Sequence, residues 1–413
     1  MRSMVSWTGT AGLRRVAFTL IAATLSWALG GPVVAAERVT LEQVGFDALP
    51  GWREDRHGEA IAPFRRTCER IERTGSRKPM GLLGGTVADW QPACRAVLAL
   101  PARLSDAAAR AFFEKHFRPA RVTGSNRTKG LFTGYFEPEI EGSLRPGKNY
   151  PVPLYALPDD LVSFAAAMPR HPSAKGLERG RVVGGRAHAY FTREQIDKGA
   201  LAGRVPALIH LKDKVDAFFL HVQGSGRVRL PDGSVRRVGF AAKSGHPYTS
   251  IGAVLGKSGA LPHGGISMQS IKDWLYRNPD QADQVLWQNR SYIFFRFVDG
   301  GDPALGPPGA AGVPLTPRRS LAVDRAVHGY GTPLWLDTTA PTPRGDQEVS
   351  FRRLMIAQDT GTAIVGAVRG DVFWGAGNEA GEIAGWMKSR GRMFALLPVA
   401  VATRLPASGV AGK

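Results

Sequence analysis

Arg369-Gly-Asp-Val-Phe-Trp-Gly-Ala-Gly377 and, shortly before it, Ala357-Gln-Asp-Thr-Gly-Thr-Ala363 set two aspartates among glycines and apolar or aromatic residues. A third lies upstream in Ala322-Val-Asp-Arg-Ala-Val-His-Gly-Tyr-Gly-Thr332. The chain is otherwise poor in acid, with 35 Asp and Glu against 54 Lys and Arg. Burial against apolar walls raises a carboxyl pKa and keeps the group protonated near neutral pH, so these surroundings suit acid–base chemistry in a glycan cleft. The flanking glycines permit close approach of a bulky ligand, and Phe373 and Trp374 offer a sugar-stacking or desolvating surface.

Asp371 is the best placed of the three. Asp359 precedes it by twelve positions, separated by the apolar run Thr362–Val368. That run reads as a strand, and a hairpin there would bring both carboxyls to one end of a sheet, where Asp359 lifts the pKa of Asp371 or orients it. The competing reading is that both residues cap turns beside glycine, as aspartate commonly does. Asp324, followed by Arg325 and the Gly329-Tyr-Gly331 turn, suits an ion pair or a turn better than catalysis. Glycosidic cleavage normally uses two carboxylates. One suffices when a hydroxyl of the sugar itself attacks, because the same group gives up its proton and then recovers one.

Other chemistries fit poorly. His210, His221 and His328 lack metal-ligand spacing and read as structural, so no metal is expected. Gln223-Gly-Ser-Gly-Arg227 lacks the Gly-Lys-Ser/Thr of a phosphate loop, and Gln223 stands where a nucleophile elbow around Ser225 needs glycine. Polar side chains lining a sugar groove explain that segment better.

Residues 1–36 read as a secretory leader: Arg14 and Arg15, the apolar run Val16 to Leu29, and the small residues Val34-Ala35-Ala36. A membrane span is the alternative, but Thr19, Ser26 and Gly30-Gly31-Pro32 interrupt the run. A formal net charge of +19 favours an anionic partner, either nucleic acid or a cell-wall polymer, and export counts against the former. Cys68 and Cys94 are the only thiols. In an oxidising compartment they are expected to pair, closing a loop of about 25 residues for about 3 kcal/mol in the chain-entropy model. The length suits two domains.

Helical spacing marks Ile61 to Thr74 and Ser105 to Arg118, with Ser105 as an N-cap. Lys129–Pro138 is an aromatic strand. Short β-like runs follow, among them Ala207–Leu211, Ala217–Val222, Val228–Leu230 and Val235–Phe240, with a helix interrupting them at Asp160–Met168. Two helices, Ser267–Tyr276 and Gln281–Trp287, lead to the strand Ser291–Phe297 and a Gly/Pro-rich loop over 299–317. Strands at 319–323, 351–357 and 392–397 and a helix near Glu379–Lys388 complete a mostly β pattern.

Taken together these residues resemble the membrane-bound lytic murein transglycosylase A family with its C-terminal three-aspartate (3D) module. The module's resemblance spans about 315–398: Ser320-Leu-Ala-Val-Asp324, Gly331-Thr-Pro-Leu-Trp-Leu-Asp337, Gln358-Asp-Thr-Gly361 and Gly370-Asp-Val-Phe-Trp-Gly-Ala-Gly377. The family's central part is matched by Phe132-Thr-Gly-Tyr-Phe-Glu-Pro138, Phe219-Leu-His-Val-Gln-Gly-Ser-Gly226, Tyr248-Thr-Ser-Ile-Gly252, Ser267-Met-Gln-Ser-Ile271 and Asn289-Arg-Ser-Tyr-Ile-Phe-Phe295.

The resemblance implies a mainly β fold with α: a double-psi β-barrel domain (37–136 and 262–405), an inserted second β-barrel domain (137–261), a groove between them, and a flexible tail at 406–413. It implies a lyase that cleaves the MurNAc–GlcNAc bond of peptidoglycan to leave 1,6-anhydro-MurNAc, without cofactor or metal. Asp371 becomes the general acid/base and Asp359 its supporting carboxylate. Thr133, Tyr135, Gln223, Ser225, Phe373 and Trp374 become substrate-facing; Asp324, Cys68 and Cys94 stay structural. Peptidoglycan glycan strands are the expected partner of a monomer, with other cell-wall enzymes as candidates and no nucleic acid. Family members are often lipoproteins, but this leader has no lipid-attachment Cys, so a soluble periplasmic enzyme is expected, with room for peripheral outer-membrane association. Arg227, Arg229, Arg236 and Arg237 are candidates to gather stem-peptide carboxylates, unless they form only a solvated hairpin. Two rival readings are a β-glycan hydrolase using the Asp359/Asp371 pair and a non-catalytic wall-binding protein.

Overall fold

Strand β1 (Val39–Gln43) leads into three helices, α1 (Gly58–Glu72), α2 (Val87–Leu98) and α3 (Asp106–His116), in a computed structural model that describes residues 38–125, 127–262, 266–405 and 409–411. The expected leader lies outside the described residues. Helix α1 buries Ile61, Phe64, Cys68 and Ile71, one apolar stripe at spacings of three and four. Thr86 and Asp89 cap α2 reciprocally, and the Ser105 hydroxyl accepts from the Ala108 N–H at the start of α3. Cys68 and Cys94 are bonded, tying α1 to α2 with their Cα atoms 4.9 Å apart.

Strands β2 (Phe117–Gly124) and β3 (Gly130–Glu137) follow, and after Pro138 the chain enters a second sheet. Its region holds β4 (Glu139–Ser143), β5 (Val152–Tyr155), the small hairpin strands β6 (Val162–Ser163), β7 (Arg179–Val183) and β8 (Arg186–His188), α4 (Arg193–Asp197) and β9 (Ala207–Leu211). It continues with α5 (Lys214–Gln223), β10 (Ser225–Arg229), β11 (Val235–Lys243), α6 (Ile251–Lys257), α7 (Met268–Arg277), α8 (Pro279–Trp287) and β12 (Ile293–Phe297). The last part comprises β13 (Ser320–Val323), β14 (Pro333–Pro341), β15 (Glu348–Asp359), β16 (Arg369–Ala376), α9 (Gly377–Trp386), β17 (Lys388–Pro398), α10 (Val399–Ala402) and β18 (Gly409–Ala411).

A nine-stranded sheet runs β14-β15-β13-β16-β3-β17-β2-β1-β18, and β14 also pairs with β17. That extra pairing closes β14, β15, β13, β16, β3 and β17 into a ring. Its interior packs Phe132, Leu321, Val323, Leu336, Met355, Val372 and Trp374. A second core, with Phe64, Trp90, Phe113, Trp335 and Phe394, fastens the N-terminal helices to the barrel. The other sheet runs β12-β11-β10-β4-β9-β5, and a bridge from Ala156 to Phe295 brings its two edges together. The fold is mainly β with helices, as expected.

Several local expectations change. Strand β12 is hydrogen-bonded to β11, so the second sheet draws on residues beyond 261, up to Phe297. The run Ala217–Val222, expected as a strand, lies in helix α5, which Asp213 caps at Val215 and Asp216 and Gly224 ends in the left-handed region. A short run apolar on every side carries no period to separate helix from strand. Asp160–Met168, expected as a helix, contributes only β6, paired with Arg179 and Gly180. Gly409–Ala411, within the tail expected to be flexible, pairs antiparallel with Val39–Leu41, since an edge strand's free N–H and C=O groups template another.

Where the chain passes between the sheets, Glu137 at the end of β3 is fully buried. Arg227 Nε lies 2.9 Å and Arg237 Nε 2.7 Å from its carboxylate. The same guanidiniums donate to Pro303 O (2.7 Å) and Leu305 O (2.9 Å) on the returning chain. Arg229 pairs with Glu139, and Arg236 with Asp299 at 3.4 Å. The hairpin arginines proposed to gather the glycan are therefore engaged with carboxylates of the protein, and two of them form a clamp at the junction. Removing one partner of a buried ion pair strands the others, so Glu137→Ala is expected to cost about 3–5 kcal/mol in chemical denaturation, with Glu137→Gln intermediate.

Candidate active site

Sheet register builds the site. Ala322 in β13 is in register with Asp359 in β15 on one side and with Asp371 in β16 on the other. Asp371 is in register with Thr133 in β3, because β16 and β3 run parallel, and Thr133 with Lys388 in β17. Residues in one row point to one face of a sheet. Leu321, Val323, Phe132 and Val372 alternate with this row and fill the barrel core, so the two carboxyls and Thr133 emerge on the outer face. The hairpin expected between Asp359 and Asp371 does not form: residues 362–368 carry no strand, and β13 lies between β15 and β16. Ala322, between the two carboxyls in this row, has a small and buried side chain.

The two aspartates differ in how they are held. Both oxygens of Asp359 accept: Oδ1 from the Ala310 and Thr360 N–H groups, each at 2.9 Å, and Oδ2 from the Tyr135 hydroxyl at 2.9 Å. Glycine at 309 lets that loop close down, since a Cβ there would stand 2.6 Å from Gln358 O and 3.3 Å from Asp359 Cγ. Asp371 Oδ1 accepts from the Thr133 hydroxyl at 2.5 Å. Its Oδ2 has no hydrogen bond among the described residues and is not sealed from solvent. Arg369, two positions before Asp371 and so on the same face, donates to Thr133 Oγ1 at 2.8 Å.

Burial pushes both carboxyl pKa values up. At Asp371 the Arg369 charge and the Thr133 hydroxyl oppose that rise, while the Asp359 charge adds to it. At Asp359 the three donors oppose it. The Tyr135 phenol is raised too, first by burial and then by Asp359, so it stays a donor.

A cleft of about 970 Å³ opens beside this row, walled by the barrel on one side and by the second sheet on the other. Tyr135, Gln223, Ser225 and Asp359 line it; Asp371 is not part of that lining and lies two strands from Asp359 along the row, with β13 between them. Gln223 also accepts from the Phe136 N–H at 3.2 Å, tying α5 to β3. Phe373 and Trp374 do not provide a stacking face. Phe373 is 1% exposed and packs against Tyr135 at 5.2 Å, and Trp374 is 7% exposed and points into the barrel core. Successive strand residues face opposite sides, so both rings are covered: Phe373 desolvates the outer face and Trp374 fills the inner one.

Asp324 takes the turn role, accepting from the Ala326 N–H at 3.0 Å and the Gly366 N–H at 2.9 Å. His221 accepts from the Ile293 N–H, and His328 Nε2 lies 2.8 Å from Ala367 O. No group of three or more His, Cys, Asp or Glu among the described residues is placed to hold a metal. The sequence reading missed Arg369 and Ala310. Strand alternation signals the first, at two positions from Asp371; nothing local signals the second.

The description MltA-specific insert domain matches residues 131–296, and the 3D domain matches 319–397. Membrane-bound lytic murein transglycosylase A of Vibrio cholerae is 32% identical over 282 residues, covering 66% of this chain and 67% of that protein. A membrane-bound lytic murein transglycosylase from Agrobacterium tumefaciens superposes with a TM-score of 0.80 at 37% identity, covering 88% of this chain and 99% of that one. The Escherichia coli MltA structure with bound chitohexaose gives a TM-score of 0.62 at 26% identity, covering 87% and 94%.

The raised pKa of Asp371 has a thermodynamic sign. In the folded state the carboxyl binds its proton more tightly than in the unfolded chain, so stability falls as pH rises from the ordinary carboxylate range through the raised value. Asp371→Asn keeps the acceptor for Thr133 and removes the buried charge. It should raise the melting temperature at neutral pH, with the gain shrinking towards acid, as pH-dependent thermal denaturation will report.

Proposed function

We propose a function from one premise: this chain belongs to the membrane-bound lytic murein transglycosylase A family. It cleaves the β-1,4 bond between MurNAc and GlcNAc in peptidoglycan, with Asp371 as its single general acid/base. The observation that carries this is the contrast between the two carboxyls. Three donors reach Asp359 and, among the described residues, none reaches Asp371 Oδ2, so Asp371 has the free oxygen that a leaving group needs.

Protonated Asp371 gives its proton to the bridging oxygen as the bond to the muramyl C1 breaks. The C6 hydroxyl of the same sugar forms the new bond to C1, and its proton passes to the Asp371 carboxylate. The products are 1,6-anhydro-MurNAc and the free GlcNAc hydroxyl, with no water consumed. Three hydrogen bonds favour the anion at Asp359, and that charge helps keep the proton on Asp371. Thr133, held by Arg369, fixes the carboxyl's orientation. The ring of strands closed by the β14–β17 pairing supports the double-psi barrel reading of this half. Among the described residues no helix is long and apolar enough to cross a membrane, and the family's name places its members at the envelope. Together with the leader-like first 36 residues, this supports a periplasmic site of action. The hydrolase alternative needs Asp359 free to activate water, and both its oxygens are occupied.

Asp371→Asn is expected to lower turnover of purified peptidoglycan by about 100-fold or more while the protein stays folded. Mass spectrometry of the wild-type products should find chains one water lighter than hydrolysis gives, without reducing ends; mainly reducing muropeptides would establish a hydrolase instead. Thr133→Val removes a hydrogen bond that favours the carboxylate. It should therefore move the alkaline limb of the pH–rate profile to higher pH, whereas a purely packing role would lower the rate at every pH alike.

A further inference from the structure

Four cations line the cleft without a counter-ion among the described residues. Lys243 of β11 and Arg296 of β12 belong to the second-sheet wall, Arg179 of β7 to the small three-stranded sheet that continues it, and Arg325 follows Asp324 on the barrel wall. The cleft's carboxylates are Glu178 and Asp359, and no salt bridge joins either to these four, or these four to any other carboxylate among the described residues. The hairpin arginines nearby are all paired. The only side-chain hydrogen bond in the set, among the described residues, runs from Arg179 to Ser163 Oγ at 3.1 Å.

The backbone sets Arg179 beside Lys243 and places Arg296 further along the same wall. Gly245, at φ 96°, lies against β7 so closely that a Cβ would stand 2.3 Å from Arg179 O, which sets Arg179 beside the end of β11 where Lys243 sits. Arg296 is on the adjacent strand, in register with Gly239, whose missing side chain leaves the cleft open above it. Clustered like charges repel and contribute nothing to folding, so their placement on a wall facing the carboxyl row points to a ligand with negative charge.

We propose that Arg179, Lys243 and Arg296 form a subsite for the carboxylates of the stem peptide carried by the muramyl lactyl group, so that the enzyme prefers peptide-bearing glycan to stem-free glycan. This rests on the transglycosylase reading for its substrate. The sugars run along the carboxyl row, and the peptide substituent projects to the opposite, basic wall. The two walls then divide the chemistry, with the barrel supplying the proton and the second sheet recognising charge.

The test uses the full chain and the triple variant Arg179→Gln/Lys243→Gln/Arg296→Gln, with Arg229→Gln, whose partner Glu139 lies outside the cleft, as the control. Relative kcat/KM is measured on peptide-bearing glycan and on the same glycan after an amidase has removed its stems. Calorimetry separately compares binding of a disaccharide–tetrapeptide, the stem-free disaccharide and neutral chitohexaose. The triple variant should lower the preference for peptide-bearing glycan about tenfold and flatten its salt dependence, while the control retains both. A wild-type protein that binds the disaccharide–tetrapeptide no better than the stem-free disaccharide overturns the proposal. So does a triple variant whose preference is unchanged. Preferential peptide binding with no turnover of either glycan would leave the subsite standing and refute the transglycosylase reading.

Discussion

Parallel pairing of β16 with β3 sets Asp371 beside Thr133, and the rest of the site hangs on that register. The 2.5 Å hydrogen bond between them exists because the two residues share a row across the barrel. The same row continues through Ala322 to Asp359. A slip of one residue in either strand would turn the carboxyl into the core and bring Val372 to the outer face. The apolar alternation of β16 forbids that slip, because Val372 and Trp374 find their place only inside the ring. The strand position of Asp371 is thus set by the hydrophobic pattern of its neighbours, and the Thr133 hydroxyl orients its carboxyl.

Two half-buried carboxyls on one face are a cost to folding, and the structure distributes it unequally. Three donors compensate Asp359, two of them backbone N–H groups, and glycine at 309 lets the one from Ala310 come close. Asp371 receives one hydroxyl and the field of a guanidinium that is itself bonded to that hydroxyl. A carboxyl with one acceptor engaged and one open can hold a proton and present it, which a fully coordinated carboxylate cannot. What the fold gives up in satisfying Asp371 is what the proposed chemistry requires.

The sequence disclosed the two aspartates because glycine and aromatic neighbours are local signals, and it disclosed α1 and α3 through stripe and cap chemistry. It misdirected wherever the deciding contact is distant. Thr362–Val368 looks like a strand, but the chain crosses over β13 there, and no local period records a crossover. Phe373 and Trp374 look like a stacking platform, but alternation sends one ring under the 299–317 loop, against Gly306, and the other into the barrel. The basic hairpin resembles a ligand surface until its partners Glu137, Glu139 and Asp299, far off in sequence, are brought opposite it. Charge composition predicted a basic cleft correctly in kind and assigned it to the wrong residues, because pairing is a tertiary property.

Gln358 and Asp359 reveal how the N-terminal helices bear on the cleft. The β13–β15 register shifts between Leu321 and Ala322, so strict alternation breaks at this point of β15. Gln358 is buried, donating to Pro63 O at 2.9 Å and Thr67 Oγ1 at 2.7 Å on α1, and accepting from Ser320 at 2.5 Å. Arg319, one residue before β13, is bidentate to Asp55 at 2.8 and 3.0 Å and reaches Glu59 at the start of α1. Strands β13 and β15 are therefore both anchored to the same helix, and the Cys68–Cys94 bond holds that helix to its neighbour. Because β15 carries Asp359 and β13 stands between β15 and β16, the helix supports the two strands that set the spacing from Asp359 towards Asp371. Helix α1 lines no part of the cleft and still supports the strand that carries Asp359.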